Sequence, residues 1–496
     1  MSPTDVIVVG AGPTGLMLAC ELALAGVRCR VLERRAAQPN ITRAFAVHAR
    51  TLELLDARGM ADDLLPRGVP VRQVTPAPGA TLRLSDLPTR YPMILIAPQS
   101  GTEHVLEARA RRLGVEIVHG AEVTALRQDD DGVHLDVRAD GVVRAERARY
   151  VVGCDGAHST VRRLLGVDFV GTQYETHILL ADVRLPHPPA DAMFAENNDD
   201  GAVICVPFGD GWFRVIAWDR LRERTPLTEP VTAAEMRDAF HRIAGTDFGM
   251  GEPRWSSRFL SERRQARRYR VGRAFLAGDA AHVHSPLGGQ GMNTGIQDAA
   301  NLGWKLAGAV HGWAPTGLLD SYERERHAVG AQVLKLTDAF NQLVLGRSRP
   351  RRWLRALAMR TIMRVRPARL ALAGRLTGLA IGYPPAEPGG HRWVGRRMPD
   401  LDCQGTRLYE LLRDGRFVLV DASSSGADRV AARWADRVRT VSCAPGGASG
   451  LPAVVLVRPD GYVAWAGDTP SGDDVVAAVA ASCGAATFAE GRRGPD

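Results

Sequence analysis

The segment Asp5-Val-Ile-Val-Val-Gly10-Ala-Gly12-Pro13-Thr14-Gly15, with the Ala/Leu-rich run that follows it to Gly26, admits few folds. A short Val/Ile run reads as a buried parallel strand, the glycines as a turn, and the Ala/Leu run as a helix closed by Gly26. Val27 to Glu33 reads as a second strand, ending in an acid 18 residues past Gly15. Gly10 permits the tight turn, Gly12 lets a pyrophosphate approach the backbone, and Gly15 lets helix and strand pack closely. The helix start at Pro13 and Thr14 offers free N–H groups and a positive dipole end to phosphates. Glu33, followed by Arg34, stands where a ribose-binding carboxylate belongs. These mechanics define a dinucleotide site and leave FAD and NAD unseparated.

Two later segments share the strand-turn-helix pattern. Tyr150 to Arg163 runs from a buried strand into Asp155-Gly156, a polar turn and a basic helix start. Ala274 to Asp298 runs from a strand into Gly278-Asp279, then through a loop containing Pro286, Gly288, Gly289 and Gly291 into a helix from about Met292 to His311. Asp279 is an acceptor-only group, suited to sugar hydroxyls rather than phosphate. Asp155 would repel phosphate, so it reads as ordering its loop and the neighbouring Arg162 and Arg163. His282 and His284 have no carboxylate partner at ligand spacing; they read as packed loop histidines, and no metal is expected.

Together the three motifs resemble the group A FAD-dependent aromatic monooxygenases, and most closely the polyketide and antibiotic hydroxylases. The likeness covers nearly the whole chain. It implies an α/β fold: a Rossmann-like FAD-binding domain of the para-hydroxybenzoate hydroxylase type, an inserted β-sheet substrate domain and a C-terminal thioredoxin-like domain. By this resemblance Glu33 binds the adenosine ribose, Asp279 after Gly278 the ribityl hydroxyls, Arg43 and Gln99 the pyrophosphate and ribityl chain, and Val123 the adenine through its backbone. Asp155 takes part in FAD and NADPH binding. Gly291, Met292 and Asn293 meet the pyrimidine edge of the flavin, and the backbone of Pro286, Gly288, Gly289 and Gly291 supports the charge that develops there. The implied reaction is hydroxylation of a polycyclic aromatic substrate by O2 through a C4a-hydroperoxyflavin, with NADPH or NADH as transient co-substrate. No catalytic side chain stands out, so the cofactor carries the hard step. Baeyer–Villiger oxygenation, antibiotic-inactivating hydroxylation and a non-enzymatic ligand-binding flavin fold are the alternatives. Flavin-dependent halogenation is set aside, because the chain has no lysine before Lys305.

The flavin-domain elements fall in residues 1–72, 100–172 and 271–345. Residues 73–99 and 173–270 form the substrate domain, where Gly209-Asp-Gly211 turns a hairpin. Phe208, Trp212 and Phe213, with Pro286, are its candidate pocket residues; half-buried strand packing is the competing reading for each aromatic. The arginines from Arg263 to Arg273 read either as a coenzyme-phosphate contact or as a solvated face. Residues 346–390 form a helical linker. Arg347, Arg349, Arg351, Arg352, Arg355, Arg360, Arg364 and Arg369 give it a basic amphipathic pattern, suited to a membrane surface or, preferably, to packing between domains. Residues 391–496, with Leu451-Pro452 before one strand and Pro459-Asp-Gly461 as a hairpin turn, resemble thioredoxin without a CxxC.

The 496 residues carry a formal charge of +8, and only Lys305 and Lys335 among the basic residues are lysines. Such a skew suggests coding bias rather than a nucleic-acid partner. Seven cysteines without CxxC spacing argue against disulfides and zinc and for a reducing cytoplasm. No apolar run reaches the roughly 18 residues of a membrane span. The expected partners are a small aromatic molecule and O2, with a homodimer allowed.

Overall fold

The computed structural model of the chain describes residues 4–37, 44–77, 80–345, 349–385, 389–422, 432–443 and 450–486. Its central sheet is built on the strand Thr4–Val9, which pairs in parallel with Cys29–Glu33 on one side and with the end of Val142–Gly153 on the other. Glu116–His119 extends the sheet beyond Cys29–Glu33, and Ala274–Leu276 extends it beyond Val142–Gly153, both in parallel. The first strand therefore sits where the chain order reverses direction, and its carboxyl end opens a crevice at the Gly10 turn. Val6, Ile7, Val8, Val151 and Val152 are fully buried, as strands covered on both faces require.

The helices Pro13–Leu24 and Gln290–Val310 cross in direct contact. Two glycines of the longer helix make this approach close. A Cβ on Gly295 would overlap Thr14, and one on Gly303 would overlap Glu21. The long helix begins at Gln290, two residues before the sequence reading placed it.

A second sheet of six antiparallel strands has the order Phe194–Asn197, Gly201–Pro207, Phe213–Asp219, Phe169–Val183, Trp255–Ala266 and His282–Val283. The Gly209–Gly211 hairpin forms where expected, with Pro207 opposite Phe213. The helix Ala233–Ala244 buries Met236, Ala239, Phe240 and Ile243 against one face of this sheet. Its last strand, His282–Val283, lies just after Gly278-Asp279, so the two sheets meet at that motif.

The helix Arg349–Arg364 packs Met359 and Met363 into the cluster containing Leu82, Leu84 and Phe208, while Leu354 and Leu357 stay exposed. Packing between parts of the chain thus accounts for one face of this basic helix; Arg347 lies outside the described residues. No helix among the described residues is long and apolar enough to cross a membrane.

The C-terminal sheet has the order Val438–Ser442, Phe417–Asp421, Val454–Val457, Val463–Gly467. The first pair is parallel and the other two antiparallel, and the helix Gly472–Cys483 follows, which is the thioredoxin-like arrangement. A 3-10 turn over Ala432–Trp434 precedes the first of these strands in space. One expectation is corrected here. Cys403 and Cys443 form a disulfide across a sequence separation of 40. Pairing of cysteines so far apart depends on tertiary approach, which spacing does not report.

The turn Arg458–Gly461 drives charged groups of this last unit into the flavin-binding part. Arg458 donates to both oxygens of Glu325 at 2.9 and 3.0 Å and also pairs with Asp460. Lys305 reaches the same Glu325 at 2.8 Å. All four are buried. Burial pushes the Lys305 ammonium down to about 8 despite the pull of Glu325. Burial also opposes ionisation of Glu325, but Arg458 and Lys305 together hold it far below the usual carboxylate range. Arg458→Ala would strand two buried carboxylates with one shared cation. The expected loss is about 3–5 kcal/mol, read as a lower urea midpoint of the flavin-loaded protein; an unchanged midpoint would show the cluster to be solvated.

Candidate active site

The Gly10 turn has the geometry of a phosphate cradle. Gly10 has φ +107°, and a Cβ there would meet the Cys154 carbonyl at 2.5 Å. A Cβ on Gly15 would overlap the Gly10 carbonyl. Gly12 differs: its φ of −77° suits any residue, and no heavy atom lies within 4 Å of the Cβ position. Packing thus demands glycine at 10 and 15, whereas at 12 it leaves open space in front of the helix start at Pro13. That is the place a diphosphate would take. Thr14 is turned away from it and wedged against Gly278, whose Cβ would lie 2.5 Å from Thr14 Oγ1.

Glu33 is 5% exposed at the end of its strand. Its Oε2 accepts from the Ala11 N–H at 2.9 Å, and its Oε1 accepts from the N–H and Nε of Arg35 at 2.9 and 2.8 Å. Burial opposes the charge, but these Arg35 and Ala11 bonds outweigh it and hold the carboxyl below its ordinary value. Arg35 is the side-chain partner of Glu33, and Arg34 beside it is exposed. Ala121 donates its N–H to the Glu33 carbonyl, which brings the strand holding the buried Val123 beside this acid. Gln99 accepts the Ala44 N–H at 3.0 Å and donates to Glu103 at 2.8 Å. It therefore fixes the chain immediately after Arg43, which lies outside the described residues.

Asp155 accepts the Ser159 hydroxyl at 2.5 Å and the N–H groups of Thr160 and Val161 at 2.6 and 3.1 Å, capping the helix Thr160–Leu164. The loop-ordering role expected of it is observed; on the arginines it acts through charge, its carboxylate favouring the Arg162 cation, rather than through a hydrogen bond. Arg162 donates to the carbonyls of Ala280 and Ala157, and Arg163 to Thr160 Oγ1. Arg162 thereby ties the Asp155-Gly156 segment to the residue after Asp279.

Gly278 has φ +60°, and the 3-10 turn Gly278–Ala280 leaves Asp279 exposed, its Oδ1 3.8 Å from where a Cβ of Gly291 would stand. Asp298, fully buried, anchors this turn. It accepts from the Gly278 N–H at 3.0 Å, from His282 Nε2 at 2.7 Å and from Arg326 Nε at 2.6 Å. Burial opposes its ionisation, and Arg326 and His282 overcome it, so it stays charged. His282 is thus a packed histidine, and no group of three metal-ligating side chains occurs among the described residues.

The loop before the long helix turns at Pro286, whose carbonyl accepts the Gly289 N–H at 2.9 Å. Gly288 and Gly289 have φ +86° and +64°. Met292 is buried in the main core. Asn293, expected at the cofactor, is a latch. It donates to the carbonyls of Ala46 and Gly289 and accepts the His48 N–H. Its side chain is spent on backbone groups. His48 escaped the sequence reading. Its ring is 1% exposed, Nε2 lies 3.4 Å from the Cβ position of Gly289, and neither ring nitrogen makes a hydrogen bond of normal geometry. Burial pushes His48 and His284 down to about 4, so both are neutral near pH 7.

Leu287 of this loop packs with Phe45, Ile204, Trp255, Phe259 and Phe340. Phe208 and Trp212 lie in the adjoining cluster with Phe45, Met363 and Leu376. Phe213 is corrected: it faces the opposite side of the sheet, among Phe194, Phe248 and Met236. Strand alternation requires this, since its neighbour Arg214 lies by Phe45, Phe208 and Trp255. The open cradle at Gly12 and the acids Glu33 and Asp279 together suit a phosphate- and ribose-bearing cofactor such as FAD.

Residues 3–337 match the family described as an FAD binding domain, and residues 391–486 match the aromatic-ring hydroxylase C-terminal family. A rifampicin monooxygenase of Streptomyces venezuelae is 44% identical over 468 residues, covering 94% of this chain and 96% of that protein. A 12-dehydrotetracycline 5-monooxygenase/anhydrotetracycline 6-monooxygenase of Streptomyces rimosus is 43% identical over 492 residues, covering 95% and 96%. Among solved structures, an anhydrotetracycline hydroxylase from Streptomyces rimosus superposes with a TM-score of 0.86 at 40% identity, covering 97% of this chain and 99% of that one.

Two outcomes are expected. Gly12→Val should fold with an unchanged melting temperature yet purify without yellow colour, whereas Gly15→Ala should lower the melting temperature outright; a yellow Gly12→Val protein would place the phosphates elsewhere. The second concerns acid. An unfolded histidine takes up its proton near 6.5 and these two near 4, so the folded loop is favoured above 6.5 and loses that advantage as pH falls toward 4. Flavin retention, followed by fluorescence of released FAD, should fall across this window, and less steeply in His48→Gln.

Proposed function

The chain belongs to the FAD-dependent aromatic-ring hydroxylases, and we propose that it is an NAD(P)H-consuming monooxygenase that inserts one atom of O2 into a polycyclic, polyketide-type aromatic ring. The observation that carries this reading is the meeting of three flavin segments, at Gly10, Asp155 and Gly278, with the aromatic face of the antiparallel sheet at one loop, Ser285–Gly291. Bound FAD supplies the redox and oxygen-activating chemistry.

The chain's own work is placement. The helix start at Pro13 and the open Gly12 receive the diphosphate, and Glu33, held ionised by Arg35, accepts ribose hydroxyls. Asp279, exposed beside Gly291, accepts ribityl hydroxyls. The glycine loop and the first free N–H groups of the helix at Gln290 support negative charge at the pyrimidine edge. His48 and His284 stay neutral there, so this charge is met by dipoles rather than by a side-chain cation. Leu287, Phe45, Phe208 and Trp212 give an apolar, water-excluding wall against which a flat ring system can be held near the flavin. Asp155 bears on coenzyme binding through the loop it orders.

The stoichiometry is one NAD(P)H and one O2 consumed per hydroxylated product and water. In the purified yellow protein, polycyclic phenols should raise NADPH oxidation at least tenfold, with oxygen uptake matching and a product heavier by one oxygen. A lactone or ester product would instead establish Baeyer–Villiger insertion. Flavin that NADPH never bleaches would leave a ligand-binding protein.

A further inference from the structure

The monooxygenase reading requires an external two-electron donor, yet the chain has no second glycine turn of the Gly10–Gly15 kind. A nicotinamide coenzyme carries several negative charges and must be held by something else. A cleft of about 760 Å³ lies between residues 267–272, which include the edge strand Arg270–Val271, and the start of the helix Leu318–Leu345. It is lined by Arg267, Arg268, Arg270, Asp320, Glu323 and Arg324, among others.

An account of its charges leaves a cationic surplus. Asp320 is taken by Arg270 at 2.6 Å. Glu323 accepts the N–H groups of Tyr269 and Arg270 at 2.7 and 3.0 Å. Arg267 reaches Asp168 outside the cleft at 3.1 Å. The side chains of Arg268 and Arg324, both exposed, make no hydrogen bond or ion pair with the described residues. Two guanidiniums therefore border one cleft whose acids are already engaged, a donor arrangement suited to phosphate.

The cleft also adjoins the flavin motif. The Ala266 N–H bonds the Ala281 carbonyl, and the Leu276 N–H bonds the Tyr269 carbonyl. Arg267 and Arg268 are thus held between two hydrogen bonds to the residues on either side of Gly278-Asp279. The arginine-rich segment Arg263–Arg273 thereby divides: some members are structural, and Arg268 faces outward at a nucleotide-sized cleft.

We propose that this cleft binds the phosphate groups of the reducing nicotinamide coenzyme, with Arg268 and Arg324 as the anion contacts. The proposal rests on the monooxygenase reading for its ligand, and the experiment separates the two. Calorimetric titration of the flavin-loaded protein with 2′,5′-ADP and with NADP⁺ needs no turnover. Each of Arg268→Ala and Arg324→Ala should weaken binding about tenfold, and each should raise KM for NADPH by a similar factor. Both residues are exposed, so flavin content and melting temperature should stay at wild-type values. Arg144→Ala, which removes an exposed charge on another strand, is the control.

If KM for NADPH rises while that for NADH does not, the arginines meet the 2′-phosphate. A rise in both assigns them to the pyrophosphate. The proposal is overturned if neither variant changes the binding constants, if Arg144→Ala has an equal effect, or if the wild-type protein binds neither probe. A wild-type protein that binds NADP⁺ through these arginines but never oxidises NADPH would keep the cleft and remove the monooxygenase reading instead.

Discussion

Much of the site hangs on the buried carboxylate of Asp298. Its three partners belong to three different pieces of chain: the Gly278 amide at the end of a sheet strand, His282 in the strand that joins the second sheet, and Arg326 in the helix that follows. Arg326 continues to the Thr294 carbonyl and the Tyr383 hydroxyl. A buried charge of this kind is tolerated only when every lone pair is answered, and then it fixes geometry more firmly than apolar contact does. The position of Asp279 at the surface of the crevice is set from behind by this carboxylate. The exposed acid at the crevice depends on the hidden acid behind it.

The same economy joins the thioredoxin-like unit to the rest. Arg50 reaches Glu53 and the Asp460 carbonyl, Arg58 reaches Glu21 and the carbonyls of Leu412 and Pro459, and Arg397 reaches Glu53 and the Pro88 carbonyl. Each guanidinium bridges residues far apart in sequence with several donors in one plane, which a lysine ammonium could not do. An arginine-rich composition that reads as coding bias therefore has a structural use. These side chains are buried ties between units. The C-terminal unit, which lacks a CxxC, is best understood through those ties, because its Trp304–Phe417 contact, with ring centroids 5.4 Å apart, and its Arg458 cluster complete the core beneath the long helix.

The parts of the site legible in the sequence were those where backbone geometry dictates residue type. Gly10, Gly15 and Gly278 are required by close approach or by φ, and the acids Glu33 and Asp279 end strands whose apolar runs are plain. What escaped depends on tertiary approach. Asp298, Glu103 and His48 lie inside helical or apolar stretches with no local mark, and the Cys403–Cys443 bridge joins residues 40 apart. One misplacement was open to a simple parity argument: Phe213 lies opposite to Arg214 on its strand. Asn293 sits next to the glycine loop, and its side-chain amide is committed to backbone groups on both sides.

Those commitments explain how a site with no reactive side chain can still be specific. Asn293 holds the glycine loop through carbonyls and through the His48 amide, and both nearby imidazoles are kept neutral by burial. Had either been charged, it would have favoured an anion at one fixed point whether or not the flavin was reduced. Dipoles at a helix start respond to negative charge along the whole edge they face, and they need no proton to do so. The apolar cluster around Leu287 then matters as much as the amides, since excluding water strengthens that modest field. Selectivity for one ring system over another is therefore expected to reside in the shape of the sheet face bearing Phe208 and Trp212, while the loop and its helix remain the same for any ring that fits.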